Sequence, residues 1–337
     1  MQVKELRSLL SHYSVVLEPD QNTPEWWAGA PSVLYDNGNN SGGKGTFYLA
    51  ARMREGNSPR GKRGYENRIL KSNDGIHFSV IKKIHRDETN LPGFERPALV
   101  KDPITNKYKL YGCGEMKNGW GIWKLDDVER IEDFNPKTLH PVLETSKVEQ
   151  NFADEHTHHS TFHIEYKDPF IWFDSASKLW HMFVIGFDRI ERPCHFTSTD
   201  ASGESWEPIG KNPFMQNTGW HNFFTRPACL YPLDIGYLVV YEGSNLDWWD
   251  PTYNIATGLA YTSDLENYID LTPTEPLLKS TTPSLQYFTW RYSHWIRVNN
   301  KLFVYFEAAR PNKTNELRVA VIDLEETFAS IITGNHN

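Results

Sequence analysis

The stretch from Lys167 to Asp188, KDPFIWFDSASKLWHMFVIGFD, decides the fold. It opens on Asp168-Pro169, continues as an apolar run, crosses a short polar turn near Ser175 and continues as a second apolar run. Two apolar runs of strand length joined by a short polar turn are typical of a β-hairpin. We therefore predict a hairpin whose first strand begins near Asp168.

The hairpin pattern recurs along the chain. The other copies read GAPSVLYDNGNNSGGKGTFYLAAR from Gly29, ERPALVKDPITNKYKLYGCGE from Glu95, TRPACLYPLDIGYLVVYEGS from Thr225 and YSHWIRVNNKLFVYFEAAR from Tyr292. Their equivalent positions lie 58 to 72 residues apart and are taken as Pro31, Pro97, Pro169, Pro227 and His294. Most repeats contain a second pair of short strands, so each holds about four strands, the content of one propeller blade.

These repeats predict an all-β fold, a five-bladed β-propeller that is one catalytic domain spanning residues 1–337. The predicted blades cover roughly residues 26–88, 94–145, 163–213, 222–279 and 281–330, and residues 1–20 form an N-terminal strap. Helical periodicity is nearly absent, which favours all-β over α/β. The alternative is a β-sandwich of unrelated hairpins; a proline followed by apolar residues at the same point of four repeats favours the propeller.

Composition excludes several classes of protein. The 337 residues carry a formal net charge of −8 and no long basic run, so nucleic acid is not an expected partner. No apolar run approaches the roughly 18 residues of a membrane span, and the first residues lack the pattern of a secretory signal. We expect a cytoplasmic protein without a membrane partner, and the three cysteines, Cys113, Cys194 and Cys229, are expected to be small buried hydrophobes rather than a disulfide framework. The sequence does not indicate an oligomeric state.

Several phrases resemble the five-bladed propeller glycosidases, namely ERPALVKD, KYKLYG, KDPFIWFD, KLWHMF, RPACLY and GYLVVYEGS. That superfamily holds the arabinanases and xylosidases of glycoside hydrolase family 43, the invertases and levansucrases, and the mannoside phosphorylases of family 130. The resemblance extends from about Trp26 to Asp323. It departs from family 43 at one point, because the first-blade Asp-Pro that supplies the base there reads Ala30-Pro31 here. The resemblance therefore implies the fold more strongly than the mechanism.

The propeller register predicts which residues meet at one opening. The start of each inner strand and the near end of its partner strand should gather there. The first set is Ala30, Arg96, Asp168, Arg226 and Ser293. The second set is Arg52, Cys113, Ile185, Glu242 and Glu307. Charges in such a confined place are paired or serve chemistry.

Asp168 and Glu242 are the predicted catalytic pair, and Glu307 is the third candidate. Glycoside cleavage needs one protonated and one ionised carboxylate, about 5–5.5 Å apart for retention or ~6.5–9.5 Å for inversion. Glu242 ends the apolar strand of VVYEGS, where burial raises a carboxyl pKa, so it is the predicted general acid. Asp168 is then the base, the nucleophile or the carboxylate that tunes the acid, and the two roles are exchangeable. The alternative for each is an arginine-paired structural carboxylate.

Substrate contacts are predicted from arginines, histidines and tryptophans near the opening. The arginines either balance the carboxylates or bind a phosphate or uronate. The tryptophans suit sugar faces. The histidine-rich segment NFADEHTHHSTFH, from Asn151, contacts sugar hydroxyls, lies on the surface or ligates a metal ion near the axis; no cofactor is required. The predicted substrate-binding residues are Arg52, Arg96, Arg226, Arg291, His158, His159, His294, Trp27 and Trp248.

The resulting prediction is a glycoside hydrolase that cleaves a furanosidic or short-chain glycoside by carboxylate acid/base chemistry at the central cleft. Its expected partner is a carbohydrate. Two alternatives stay open: a phosphate-dependent glycoside phosphorylase and a non-catalytic carbohydrate-binding propeller.

Overall fold

The computed structural model describes residues 3–38, 45–56, 63–151, 159–280 and 286–325, and within them the chain is nearly all β. One α-helix, α1, spans Val3–Leu10, and short 3-10 helices span Arg86–Glu88, Ile131–Asp133, Pro136–Thr138 and Gly219–His221. The strands are β1 Ser14–Leu17, β2 Trp27–Asp36, β3 Thr46–Arg54, β4 Gly64–Ser72, β5 Ser79–His85, β6 Glu95–Lys101, β7 Tyr108–Met116, β8 Gly119–Lys124, β9 His140–Leu143, β10 Ser146–Asn151, β11 His159–Asp174, β12 Leu179–Phe187, β13 Glu191–Ser198, β14 Trp206–Pro208, β15 Phe224–Pro232, β16 Tyr237–Ser244, β17 Ala256–Thr262, β18 Ile269–Asp270, β19 Trp290–Val298, β20 Lys301–Ala309 and β21 Asn315–Asp323.

The strands pair almost entirely with their sequence neighbours as antiparallel meanders. One sheet has the order β6-β7-β8-β9, another β15-β16-β17-β18 and a third β10-β11-β12-β13-β14. The last sheet runs β19-β20-β21-β2-β3-β4-β5, with β1 added to β21. It joins the end of the chain to its beginning through one parallel pair, Trp27 with Asn315.

The first strand of each meander packs against the first strand of the next. We call β2, β6, β11, β15 and β19 the inner strands. They contact one another in that order, and β19 also contacts β2, so the series closes on itself. The starts of all inner strands therefore gather at one opening, as the predicted register requires.

The turns that join the outer strands follow side-chain chemistry visible in the sequence. In Ser72-Asn73-Asp74-Gly75, the Ser72 hydroxyl accepts a hydrogen bond from the Gly75 N–H at 3.0 Å, and Asp74 accepts one from the Ile76 N–H at 2.8 Å. Gly75 has φ +77, and a Cβ there would lie 2.7 Å from Phe303. Only glycine meets both demands without strain.

Every inner strand carries a bulge, near the start of β2, β6, β15 and β19 and near the middle of β11, and the bulge aims the residues of the opening. Four bulges hold a non-glycine residue in the left-handed region: Ala30 (φ 52), Arg96 (φ 41), Asp168 (φ 55) and Tyr292 (φ 54). In β15 the register shifts between Pro227 and Cys229 instead. A left-handed bulge residue breaks the alternation of the strand and turns its side chain out of the ladder. Such residues store strain and cluster at functional sites.

The bulge in β19, between Arg291 and His294, corrects the predicted register. Arg291 pairs with Glu307 as Gly29 pairs with Arg52, so Tyr292 is the equivalent of Ala30 and of Asp168. The prediction placed Ser293 there and was wrong by one residue. Ser293 is fully buried and accepts a hydrogen bond from the Trp290 indole N–H at 2.7 Å.

The N-terminal residues belong to the packed structure. Leu6 and Leu10 of α1 lie in the hydrophobic cluster that includes residues of β15–β17 and β19–β21. The Arg7 guanidinium donates to the Leu277 carbonyl at 2.6 Å, and β1 pairs with β21 from Ser14 to Leu17. Burying one leucine side chain contributes about 1.5–3 kcal/mol. Within the described ranges, no helix is long and apolar enough to cross a membrane.

Candidate active site

Asp168 stands on the β11 bulge with part of its side chain open to solvent. One carboxylate oxygen accepts a hydrogen bond from the Tyr292 hydroxyl at 3.0 Å, and the other lies 3.4 Å from the Cys113 thiol. Tyr292 lies on the inner strand β19 and Cys113 lies on β7, so both groups come from strands other than β11. The carboxylate is therefore held in place without being enclosed.

The electrostatic surroundings keep Asp168 ionised. Burial raises the pKa of its carboxyl, but the positive charges of Arg96, Arg226 and Arg52 outweigh burial, and the pKa lies below its ordinary value. No described cation lies within ion-pair distance of this carboxylate. It is an anion stabilised from a distance, and its exposed side can accept a proton.

Glu242 has the opposite electrostatic character. It lies near the end of β16, is 1% exposed, and pairs across the ladder with Arg226. Burial raises the pKa of Glu242 to about 7, even though Arg226, Arg96 and Arg291 oppose the rise. Near neutral pH, this carboxyl holds a proton about half of the time.

One oxygen of Glu242 is free. Oε2 receives a long contact from the Tyr292 main-chain N–H at 3.4 Å, while Oε1 is buried with no hydrogen-bond partner among the described residues. A buried polar atom without a partner is unfavourable unless a ligand or water completes it. Oε1 is thus a buried acceptor that no described protein group satisfies.

Tyr292 links the two carboxyls and was missed by the sequence analysis. Its hydroxyl reaches Asp168 and its main-chain N–H reaches Glu242. The left-handed backbone at Tyr292 permits both contacts, because it turns the side chain out of the strand. Alignment of RYSH with KDPF, one residue earlier than predicted, would have indicated this position.

Glu307 is fully buried and fully paired. Oε1 accepts hydrogen bonds from Arg291 Nε (3.0 Å) and Nη2 (2.7 Å) and from Asn315 (2.6 Å). Oε2 accepts from Arg52 Nη2 and the Ala30 N–H, both at 3.1 Å. Burial raises the pKa of Glu307, but the two arginines more than reverse the rise, so the pKa lies below its ordinary value. With no open oxygen, Glu307 has the arrangement of a structural carboxylate.

Three of the four predicted arginines are neutralised by direct ion pairs. Arg291 binds Glu307, and Arg52 bridges Glu307 and Glu95. Arg226 is held by Glu191. The sequence analysis did not predict the ion-pair partners Glu95 and Glu191, although Glu95 directly precedes Arg96 in the repeated phrase.

Arg96 differs from the other three. It is 1% exposed and donates one hydrogen bond, from Nη2 to the Ala228 carbonyl at 3.0 Å. Its Nε and Nη1 have no partner among the described residues, and its guanidinium lies 4.6 Å from the centre of the Tyr292 ring.

His294 lies below the bulge, away from the carboxylates. It lines a cavity of about 500 Å³ between the carboxyl-terminal halves of the inner strands, and its Nδ1 receives a contact from the Val33 N–H at 3.4 Å. Burial, with Arg96 adding, lowers the His294 pKa to about 3. The one-residue register error explains this misplacement.

The two predicted tryptophans lie in different parts of the structure. Trp27 lies at the opening, 3% exposed, with the guanidinium groups of Arg54 and Arg291 4.0 and 4.6 Å from its ring centre. Trp248 instead packs beside Trp220 in a different cavity of about 320 Å³.

The predicted histidine contacts are not described. His158 and the side chain of His159 lie outside the described residues, as does most of the segment from residue 151 to 163. Among the residues that the structure describes, no group of three His, Cys, Asp or Glu side chains is arranged to hold a metal ion.

Comparison with known proteins relates the chain to others through its fold alone. No protein-family model matches the sequence, and no curated protein matches it. Solved structures do match. A glycoside hydrolase superposes with a TM-score of 0.64 at 13% identity, covering 95% of this chain and 94% of that one. The family 32 β-fructofuranosidase of Bombyx mori gives 0.61 at 11% identity, covering 95% and 64%. The catalytic domain of the family 62 α-L-arabinofuranosidase of Coprinopsis cinerea gives 0.58 at 13% identity, covering 92% and 96%. The chain therefore has the propeller-type fold found in these glycosidases.

Proposed function

We propose that this chain is a five-bladed β-propeller glycoside hydrolase that cleaves a furanosidic or short-chain glycoside at the opening of its inner strands. The whole chain, residues 1–337, would form this one catalytic domain, with a carbohydrate as its partner. The closed series of inner strands supports five blades. The similarity in fold to a β-fructofuranosidase and an α-L-arabinofuranosidase supports a furanoside.

The carrying observation is one pair of carboxyls whose pKa values are pushed apart. The Asp168 pKa is lowered by arginines, and the Glu242 pKa is raised to about 7 by burial. Acid/base glycosidases use such a pair, because one group must donate a proton while the other stays ionised. Tyr292 touches both groups and fixes their relative position.

The chemistry assigns each group a step. Glu242 donates its proton from Oε1 to the glycosidic oxygen as the bond to the anomeric carbon breaks. Asp168 removes a proton from the attacking water, or attacks the anomeric carbon itself to form a glycosyl ester, which water then hydrolyses as the deprotonated Glu242 takes up the proton of that water. The first route inverts the anomeric centre and the second retains it. General acid catalysis of this kind contributes roughly 10²–10⁴-fold to the rate.

A purely binding propeller is less well supported. It would have its buried carboxylates locked to arginine, as Glu307 is. Asp168 and Glu242 have no ion pair within the described ranges, and one buried oxygen of Glu242 has no hydrogen-bond partner there. Unpaired carboxyls in a confined opening lower stability, and a catalytic role accounts for them.

Phosphorolysis is the second candidate, favoured by one observation. In family 43 the first blade supplies the catalytic base. At that position this chain has Ala30, which carries only a methyl group and donates its main-chain N–H to Glu307. An enzyme without that carboxylate can use inorganic phosphate as its nucleophile. The unpaired guanidinium of Arg96 would suit that anion.

A screen of aryl furanosides, aryl pyranosides and short oligosaccharides tests these proposals. Wild type and Asp168→Asn are compared with and without inorganic phosphate. Turnover without phosphate that Asp168→Asn abolishes supports the hydrolase. Turnover only with phosphate supports the phosphorylase. Sugar binding without turnover under either condition would contradict both and support the binding propeller.

A further inference from the structure

Arg54 is a cation at the opening whose charge no described carboxylate neutralises. It ends β3, two residues beyond Arg52, and its guanidinium lies 4.0 Å from the centre of the Trp27 ring and 6.0 Å from that of Tyr253. Arg52 and Arg291 nearby share the carboxylates Glu95 and Glu307. This side of the opening therefore holds three guanidinium groups and two paired carboxylates.

Hydrogen-bond donors are also in excess here. Arg54 Nε, Arg52 Nε and Trp27 Nε1 are all buried without an acceptor among the described residues. Leaving a buried donor unpaired is unfavourable, and the penalty is larger for a charged group. A ligand that supplies oxygen acceptors would satisfy these groups.

A cavity of about 160 Å³ lies beside the Arg54–Trp27 stack. Its wall is aromatic, formed mainly by Trp27, Trp249, Tyr253 and Tyr287. Trp249 is 77% exposed, which is unusual for so large an apolar ring. The volume equals that of roughly five liquid waters at ~30 Å³ each, enough for a small polar group against a ring.

The acidic residues of the cavity do not remove its preference for an anion. Asp250 and Glu25 line it together with Lys313. Asp250 Oδ1 already accepts main-chain N–H bonds from Thr252 at 3.1 Å and Tyr253 at 3.2 Å, so it caps a turn. Two cations, Lys313 in the wall and the adjacent Arg54, offset the charges of Glu25 and Asp250, and apart from Gln286 the other wall residues are aromatic.

We propose that this cavity is a substrate subsite for an oxyanion, a carboxylate or a phosphate, that is bound by Arg54 against the Trp27 and Tyr253 rings. This inference rests on the proposed function, since it names the substrate of that site as an acidic glycoside or a sugar with phosphate beside it. A stacked guanidinium keeps its in-plane N–H groups free for two parallel bonds to an oxyanion.

The surroundings of Arg54 agree with such a ligand. Burial lowers the pKa of Arg54, and the like charge of Arg52 lowers it further. An anion placed at the guanidinium would reverse both effects.

The test measures binding by calorimetry at pH 7, so it does not depend on turnover. The probes are galacturonate and glucuronate, their neutral counterparts galactose and glucose, and inorganic phosphate. The variants are Arg54→Met and, as a matched control, Arg63→Met. Arg63 also stacks on an indole, 4.9 Å from Trp120, but it is paired with Glu115 at 3.3 Å. Arg54→Lys is the second test variant, because it keeps the charge and loses the planar fork.

We expect the wild type to bind a uronate or phosphate at least about tenfold more tightly than the neutral sugars, as for other charge-assisted hydrogen bonds. Arg54→Met should lose this preference, Arg54→Lys should keep part of it, and Arg63→Met should keep it all. Competition between phosphate and the uronates identifies a shared site; phosphate binding alone makes phosphate the co-substrate.

Two results would overturn the inference: a wild type without preference for any oxyanion, or a preference that survives Arg54→Met. Neutral-glycoside turnover with no oxyanion preference leaves the proposed function standing and removes the subsite. Oxyanion binding with no turnover of any glycoside would support the subsite and contradict the proposed function.

Discussion

Two carboxylates at the same opening, Glu307 and Glu242, are both buried and yet have opposite electrostatic environments. Glu307 receives hydrogen bonds from two arginines, an asparagine and a main-chain N–H. Glu242 receives one long main-chain contact and keeps an oxygen with no described partner. Burial alone therefore does not decide the pKa of a carboxyl. Arginine charges and hydrogen-bond donors in direct contact lower the pKa of Glu307 in spite of its burial.

The difference also separates a structural group from a reactive one. A Cβ on Gly29 would lie 2.0 Å from Glu307, so the first inner strand is shaped around this carboxylate. Glu307 joins β20 to β2, β3, β19 and β21 at the closure of the ring. Glu242 joins no such set of strands, and this fits its proposed role as the general acid.

The largest expected effect comes from Glu242→Gln. The amide has the same shape but cannot donate a proton to a leaving group, so kcat should fall roughly 10²–10⁴-fold. The unfolding free energy should not fall, because the wild-type carboxyl has no ion pair to lose. Steady-state kinetics and urea unfolding at pH 7 measure the two quantities; an unchanged kcat would refute the assignment of Glu242 as general acid.

Glu307→Gln should affect stability instead. It leaves Arg291 as an uncompensated buried charge, and breaking such a pair lowers the unfolding free energy by about 3–5 kcal/mol. The control is Glu115→Gln, which breaks the exposed pair with Arg63 and should change the free energy by ~1 kcal/mol or less. Equal, small losses in both variants would show that Glu307 is not the structural group described above.

The pH dependence of stability should have opposite signs at the two sites. The native pKa of Glu242, about 7, lies above its ordinary 4.5, so its stabilising effect is complete below pH 4.5 and is lost as pH rises through 7. Glu242→Gln should gain stability over wild type in that range, by up to ~3 kcal/mol at pH 8. Glu307 has a lowered pKa, so its stabilising effect is present above about pH 4.5 and is lost on acidification.

Unfolding curves of both variants and wild type between pH 4 and 8 measure these slopes. In the same range, wild-type kcat should fall as pH rises through about 7, because Glu242 loses its proton. Slopes of the same sign for both variants would contradict the comparison.

Tyr292→Phe has the smallest expected effect. It tests whether the Tyr292 hydroxyl, which joins the two carboxyl sites, controls the pKa of Asp168. It removes one hydrogen bond to Asp168, worth about 1 kcal/mol, and should raise the Asp168 pKa. The acidic limb of the pH–rate profile should therefore move to higher pH. Tyr305→Phe, which removes a remote buried bond to Gly75 O at 2.7 Å, should lower stability similarly and leave that limb unmoved. A limb that moves in both variants, or in neither, would leave Tyr292 without this role.

The strands were predictable because each hairpin repeats a local pattern. Apolar runs with Asp, Asn or Gly turns indicate antiparallel pairs without long-range information. The ring positions of Arg52, Glu242 and Glu307 were predicted from the hairpin pattern, and in the structure these residues pair with Gly29, Arg226 and Arg291.

The errors arose where geometry departs from counting. The fifth inner strand has Ser293 where three others have proline after a left-handed residue, so nothing in its sequence fixed the bulge. Anchoring on His294 shifted the register by one, and a shift of one residue exchanges the faces of a strand. The ion-pair partners Glu95 and Glu191 were missed because pairing between sheets depends on distances that no single repeat encodes.

The pairing of β1 with β21 has a consequence for assembly. When β1, residues 14–17, detaches from β21, the edge of β21 from Leu317 to Val319 presents unpaired N–H and C=O groups to solvent. Such an edge accepts any strand of suitable register, and the best-matched strand available is the same segment of another molecule. A chain whose β1 has detached would thus be prone to exchange this strand between copies, giving domain-swapped dimers from a protein whose ring is closed by noncovalent pairing of its two ends.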